Sequence, residues 1–264
     1  MNKENEIIFA HTIDLINKSN EYRIITSTSF LSLSEQSYLT TKLQDYKKEY
    51  KNNLDFLFDS LNKDSDRKIL FIKPIETSFQ ELSKYINETI SILYCYPKNI
   101  KFSEELTHRD FLGALMNLGI KRNKIGDIIV NYTNKYEAIF YIEKNIKETI
   151  INNLDKVKHT NYLVKEINQA SIPFETHFEY MNIYVSSLRL DNIIKEVFNI
   201  SRNDAQSLIA KECVFINGKT ITSSSYLLKK DDRVSIKSKG KFIFLDETSI
   251  NKKGRYHTKI KKYS

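Results

Sequence analysis

The stretch "RLDNIIKEVFNISRNDAQSLIAKECVFINGKTI", residues 189–221, reads as two short helices running into a hairpin. Leu190, Ile193, Ile194 and Val197 recur at helical spacing, and Phe198 closes the apolar face. Asn199 and Ile200 turn the chain. Ser201 then caps a second helix over 202–212 that buries Ala205, Leu208 and Ile209, with Asp204 three residues on as in a capping box. "CVFI" and "KTI" are joined by Asn217-Gly218, a pair that tolerates positive φ at both positions and so marks a tight turn. "DRVSIK" and "KFIFLDE" supply further strands. One residue does not fit. Arg202 stands in the first turn of the second helix, where the dipole favours an anion.

The charge of the chain points to a reason. Its 264 residues carry a net +8, and residues 184–264 hold 17 Lys+Arg against 8 Asp+Glu, while 1–183 hold 24 against 25. All of the basic excess therefore lies in the last third, the electrostatic footprint of a nucleic-acid binder. A merely solvated basic face is the plainer alternative. A helix start attracts phosphate, and an arginine there forks onto it bidentately. Ser201 and Arg202 are thus expected to contact nucleic-acid phosphate together with Arg189, Lys211, Asn217 and Lys219. The competing reading pairs Arg202 with Asp204 or Asp191. The terminal "GRYHTKIKKYS" alternates Arg255, His257, Lys259 and Lys261 with Tyr256, Thr258 and Ile260, which is strand periodicity with one basic face. It extends the nucleic-acid surface or forms an edge strand blunted by lysine.

Several function classes are excluded on composition. No apolar run approaches the roughly 18 residues of a membrane span, and the polar start "MNKENEIIFAHTIDL" is not a secretory signal. Cys95 and Cys213 are far apart and read as reduced core cysteines of a cytoplasmic protein. Five scattered histidines give no metal spacing, and six glycines supply no phosphate-cradling loop. "HRD" at 108–110 lacks the asparagine a kinase loop places five residues later; Leu115 stands there. No nucleophile–base pair or carboxylate dyad emerges, so neither catalytic residues nor cofactors are expected.

Upstream, the first 80 residues look mostly helical: "EIIFAHTIDLINKS", then "SEQSYLTTKLQDYKKEY" capped by Ser34. "NLDFLF" and "RKILFIKP" suggest a strand pair, against a helix over 50–61. Residues 81–181 follow the order strand–helix–strand–strand–helix–strand, the split βαβ plan of ferredoxin-like and RRM domains. The strand "TISILYCYPK" is followed by the helix "THRDFLGALMNLG", with Phe111, Leu112, Leu115 and Met116 as its stripe and Gly119 as its end. "NKYEAIFYI" does not match the RRM base-stacking motif. Tyr94, Tyr96, Phe140 and Tyr141 either stack on bases or pack in the core. The loop "GIKRNKIGD" gathers Lys121, Arg122 and Lys124 as a second candidate phosphate contact. The fold class is therefore α+β, with domains at 1–80, 81–181 and 182–264.

Residues 189–221, with "LLKKDDRVSIK", resemble the α-L RNA-binding fold of the small-subunit ribosomal protein S-four family, whose two helices and adjoining loop face RNA. The sequence is similar over most of its length to the YlmH-like proteins of Gram-positive bacteria, through "THRDFLGALMNLGIKRNKIGDIIV", "SSLRLDNIIKEVFNISRNDAQSLI" and "KKGRYHTKI". That resemblance implies a helical N-terminal part, an RRM-like centre and a C-terminal α-L domain. It further implies a non-catalytic monomer acting on structured rRNA or tRNA of the large ribosomal subunit, at obstructed peptidyl-tRNA, in ribosome-associated quality control, with a link to cell division. The rival readings are an RNA-modifying or tRNA-acting enzyme with its site in the central domain, and a septum-associated scaffold.

Overall fold

Ser32 and Ser78 each open a helix through a capping box, accepting from the amides of Glu35 and Glu81, whose carboxylates accept from the cap amides. The first cap thus lies at Ser32 rather than Ser34, because Glu35 stands three residues after Ser32. The helix opened by Ser78, Phe79–Thr89, is an element that the order of elements expected from the sequence does not contain. The computed structural model describes residues 3–252 and 254–263, with the side chains of Lys3 and 246–248 excepted; the ends of the chain and Lys253 of "KKGRYHTKI" lie outside. It forms two compact units, 1–176 and 177–264. The expected boundary at 80/81 falls inside the first unit, and the second begins five residues before 182.

In the first unit, α1 (Lys3–Tyr22), α2 (Leu33–Lys42) and α3 (Gln44–Glu49) accompany an antiparallel sheet. Its order is β1 (Thr26–Ser27), β3 (Ile69–Pro74), β2 (Leu54–Asp59). The strand pair therefore forms and the helix over 50–61 does not. Ile16, Leu39, Leu54, Leu70 and Ile72 make the core between these layers.

The central part follows as α4 (Phe79–Thr89), β4 (Ile90–Pro97), α5 (His108–Asn117), β5 (Ile125–Val130) and β6 (Ala138–Glu143). It ends with α6 (Lys147–Asn153), β7 (Lys156–Val157) and β8 (Thr160–Ile167). The sheet order β5-β6-β4-β8-β7, antiparallel throughout, is the split βαβ arrangement with one short strand added. α5 and α6 cover one face, where Phe111, Leu115 and Ile150 meet Leu93, Cys95 and Phe140. Met116 is not in that stripe; it is exposed.

The other face, the one an RRM leaves open, is covered. Phe30, Ile69 and Phe71 of the N-terminal part, with Leu82 and Ile86 of α4, pack on Ile92, Ile139 and Tyr141. A strand buried on both faces loses its polar alternation, which accounts for the run "ISILYCY". Phe140 and Tyr141 are accordingly core residues. Tyr94 and Tyr96 are half-buried and stack on each other at 5.0 Å. At Gly126 an added Cβ would stand 2.7 Å from the Phe30 ring, so only glycine lets the two layers close here.

The second unit comprises β9 (Phe178–Val185), α7 (Leu190–Phe198), α8 (Arg202–Ala210) and β10 (Val214–Ile216). β11 (Lys219–Thr220), β12 (Arg233–Ile236), β13 (Gly240–Ile250) and β14 (Tyr256–Tyr263) complete it. Asn199 ends α7 in the left-handed region at φ 48°, and Asn217 and Gly218 turn the hairpin at 49° and 77°. The six strands run β11-β10-β12-β13-β14-β9, so the terminal strand is interior, not an edge. The helices pack on one face through Ile193, Val197, Ala205 and Ile209 against Ile216, Val234, Phe242 and Ile260.

Candidate nucleic-acid interface

Asp191, second residue of α7, is wholly buried, and three side chains converge on it. Arg189 donates from Nε and Nη2, each at 3.1 Å; Arg202 donates from Nε at 3.1 Å; Gln206 donates at 2.9 Å. The first-turn arginine of α8 is therefore an ion-pair partner of the preceding helix, the reading set against a free phosphate ligand. It is not buried in that role. The Arg202 side chain is 49% exposed and that of Arg189 32%. Arg202 uses one of its five N–H donors on Asp191, and its two terminal nitrogens make no further hydrogen bond among the described residues. A buried carboxylate thus holds two guanidinium groups side by side while their remaining donors face solvent.

The start of α8 is not an empty anion site. Ser201 accepts from the Asp204 amide at 3.0 Å and donates to the Asp204 carboxylate at 2.7 Å, which sets a negative charge at the helix start. Ser201 is a cap rather than a ligand. Asn217 is also structural: its amide donates to the buried carboxylate of Asp232 at 2.8 Å and its oxygen accepts from the Arg233 amide at 3.0 Å. Lys211 and Lys219 are exposed. Lys211 stands at the far end of α8, about 13 Å along the axis from Arg202.

The loop "GIKRNK" behaves differently from its charge. Arg122 turns inward and donates to the carbonyl oxygens of Ile125 and Gly126. Burial and the neighbouring Arg67 push its guanidinium down to about 10. Lys124 pairs with Glu143 at 2.5 Å. Only Lys121 of the three is exposed. Backbone carbonyls at the start of β5 need donors, and the nearest long cation supplies them. Among the described residues no cluster of His, Cys, Asp or Glu could hold a metal ion, and no helix is long and apolar enough to cross a membrane.

Sequence reasoning named Asp191 only as a rival partner for Arg202, and Gln206 not at all. The signal for Gln206 was spacing, since Arg202 and Gln206 lie four apart on one helix face, whereas Asp191 lies on the preceding helix. Asp191 itself is held down to about 2, because burial opposes its charge but the hydrogen bonds from Arg189, Gln206 and Arg202 outweigh burial. A depressed value means that this stabilisation is present above the ordinary carboxylate value of about 4 and is lost as pH falls towards about 2. The shift corresponds to about 2 kcal/mol. In acid titrations of melting temperature between about pH 4 and pH 2, the wild-type chain should fall more steeply than Asp191→Asn. Parallel curves would refute the ion-pair assignment.

Comparison with known proteins agrees with this architecture. Residues 80–171 match the family model described as "Putative RNA-binding domain in YlmH", and residues 188–234 match the S4 domain. The chain is 26% identical over 147 residues to ribosome-associated protein quality control protein P2 of Bacillus subtilis (strain 168), covering 54% of this chain and 56% of that protein. It is 31% identical over 134 residues to small ribosomal subunit protein uS4c of Eimeria tenella, covering 49% and 62%. The matches thus span little more than half the length of these relatives. A solved structure, cell division protein ylmH from Streptococcus pneumoniae, is 20% identical with a TM-score of 0.48, over 65% of this chain and 96% of that one. The chain thus carries a stretch similar to the putative RNA-binding domain of YlmH, followed by a stretch similar to the S4 domain.

Proposed function

We propose that this chain is a cytoplasmic, non-catalytic RNA-binding protein of the ribosome, monomeric, acting at large-subunit rRNA and peptidyl-tRNA in ribosome-associated quality control. The observation that carries it is the pair Arg189 and Arg202 clamped on buried Asp191, in the half of the chain that holds the whole basic excess. Two adjacent guanidinium forks of fixed orientation suit the phosphates of folded RNA, which is recognised by shape and backbone. The likeness to a protein named for ribosome-associated quality control supports the ribosome as the place of action. The expected link to cell division belongs to the same proposal, and a septation defect on deletion would support it.

The uS4 relatives favour a second reading, attachment to the small subunit. Co-sedimentation with isolated subunits separates the two, and crosslinking in cells with sequencing of the attached RNA names the site. Large-subunit rRNA and tRNA are expected; small-subunit rRNA alone would overturn the first reading. Binding should weaken with salt at a log–log slope of about −3, as Arg189, Arg202, Lys211 and Lys219 each neutralise one phosphate. A slope near zero would exclude phosphate contact.

A further inference from the structure

The sheet of the second unit has a second face, turned away from α7 and α8. Register sets Phe178, Tyr180 and Tyr184 of β9 opposite Tyr263, Lys261 and His257 of β14. The alternate residues Ile183, Val185, Thr258 and Ile260 are buried, so these six share the outer side. Tyr184 stacks on His257 with centroids 4.7 Å apart and rings 16° from parallel. Phe178 meets Tyr263 edge-on at 4.8 Å. Ammonium groups sit over these rings, Lys261 over Phe178 at 3.9 Å and Lys241 over Tyr263 at 4.0 Å. Tyr180 is 67% exposed and Tyr184 48%.

We propose that this face is a second RNA surface, one that takes unpaired nucleotides by base stacking. Every base has a π-face, so exposed tyrosines interleaved with cations form a platform that tolerates any sequence, while the cations meet the backbone. From Phe178 to Tyr184 the row runs for about 20 Å, enough for several splayed nucleotides. The core of a surface for a protein would be depleted of lysine. Here rings and cations alternate. The inference rests on the RNA-directed reading for its ligand class alone. Its residues lie across the sheet from the helices that carry Arg189 and Arg202, so the two can fail separately.

Fluorescence anisotropy of the full chain with a labelled oligouridine of about twelve nucleotides tests it, within the site sizes of single-strand binders. Tyr180→Ala/Tyr184→Ala should weaken oligouridine binding about 10-fold at unchanged melting temperature, since both rings are exposed and leave no cavity. Tyr180→Phe/Tyr184→Phe should bind as wild type, because phenylalanine stacks equally well. Arg189→Ala/Arg202→Ala should lose affinity for ribosomal subunits but keep oligouridine within about 2-fold. Unchanged oligouridine binding by the double alanine variant overturns the proposal. So does failure of the wild-type chain to bind oligouridine, which would point to a protein as the partner of this face.

Discussion

Replacing Arg189 and Arg202 together with alanine is expected to lower affinity for ribosomal RNA about 100-fold. Each fork makes charge-assisted hydrogen bonds worth about 1.5–3 kcal/mol, and a tenfold change is about 1.4 kcal/mol, so two forks account for that factor. The substitution also strips buried Asp191 of two cations, so the fold must be checked in parallel. A charge-conserving control keeps the test sharp. Arg189→Lys/Arg202→Lys keeps both charges beside Asp191 but cannot fork onto phosphate, and should bind about 10-fold more weakly with a melting temperature above that of the alanine variant. Lysine variants that bind like wild type would show that charge alone, not the clamp, does the recognition. Equal affinity in the alanine variant would remove the site altogether.

The second large effect concerns stability. Phe71→Ala should cost the first unit about 3–5 kcal/mol, the usual penalty of a large cavity under a fully buried aromatic. Phe71 meets Tyr85 edge-on at 6.2 Å and belongs to the cluster that closes the outer face of the central sheet with Ile92, Ile139 and Tyr141. Opening that face therefore unfolds the unit before it frees an RNA surface. Thermal denaturation should show the first unit melting earlier while the affinity for ribosomal RNA, which the proposed function assigns to the second unit, stays the same. A stable variant that binds RNA more tightly would mean that the covered face is a latent RRM surface.

Much of the fold was legible from local pattern. The split βαβ order, the helices at 108–117 and 190–198 and the Asn217-Gly218 hairpin all announce themselves within windows of a few residues. Where reading failed, a signal was present but outweighed. Helix α4 follows a plain Ser-x-x-Glu box at 78–81, and β9 shows period-2 alternation in "FEYMNIYV", so the expected boundary at 182 falls inside a strand. Met116 fits the helical spacing of its neighbours but falls on the rim, where the stripe is wider than the surface it meets.

The candidate site was less legible than the fold. Arg122, Lys124 and Asn217 look like RNA ligands in a one-dimensional list of charges and amides, but each serves a carbonyl, a carboxylate or an amide of its own unit. Arg202 looked misplaced until Asp191, eleven residues away, appeared at 3.1 Å.

Composition and periodicity were sufficient for the order of most central elements and of the two helices with their hairpin, the place of the basic excess and the turn chemistry, because these depend on neighbours within about four residues. Which cations turn outward, which sheet face is closed and which strands pair were decided only by the tertiary structure. β9 and β14 meet across some seventy residues of intervening chain. Burial then compels each inward polar group to find a partner, and that demand, not the local sequence, selects the side chains left for RNA.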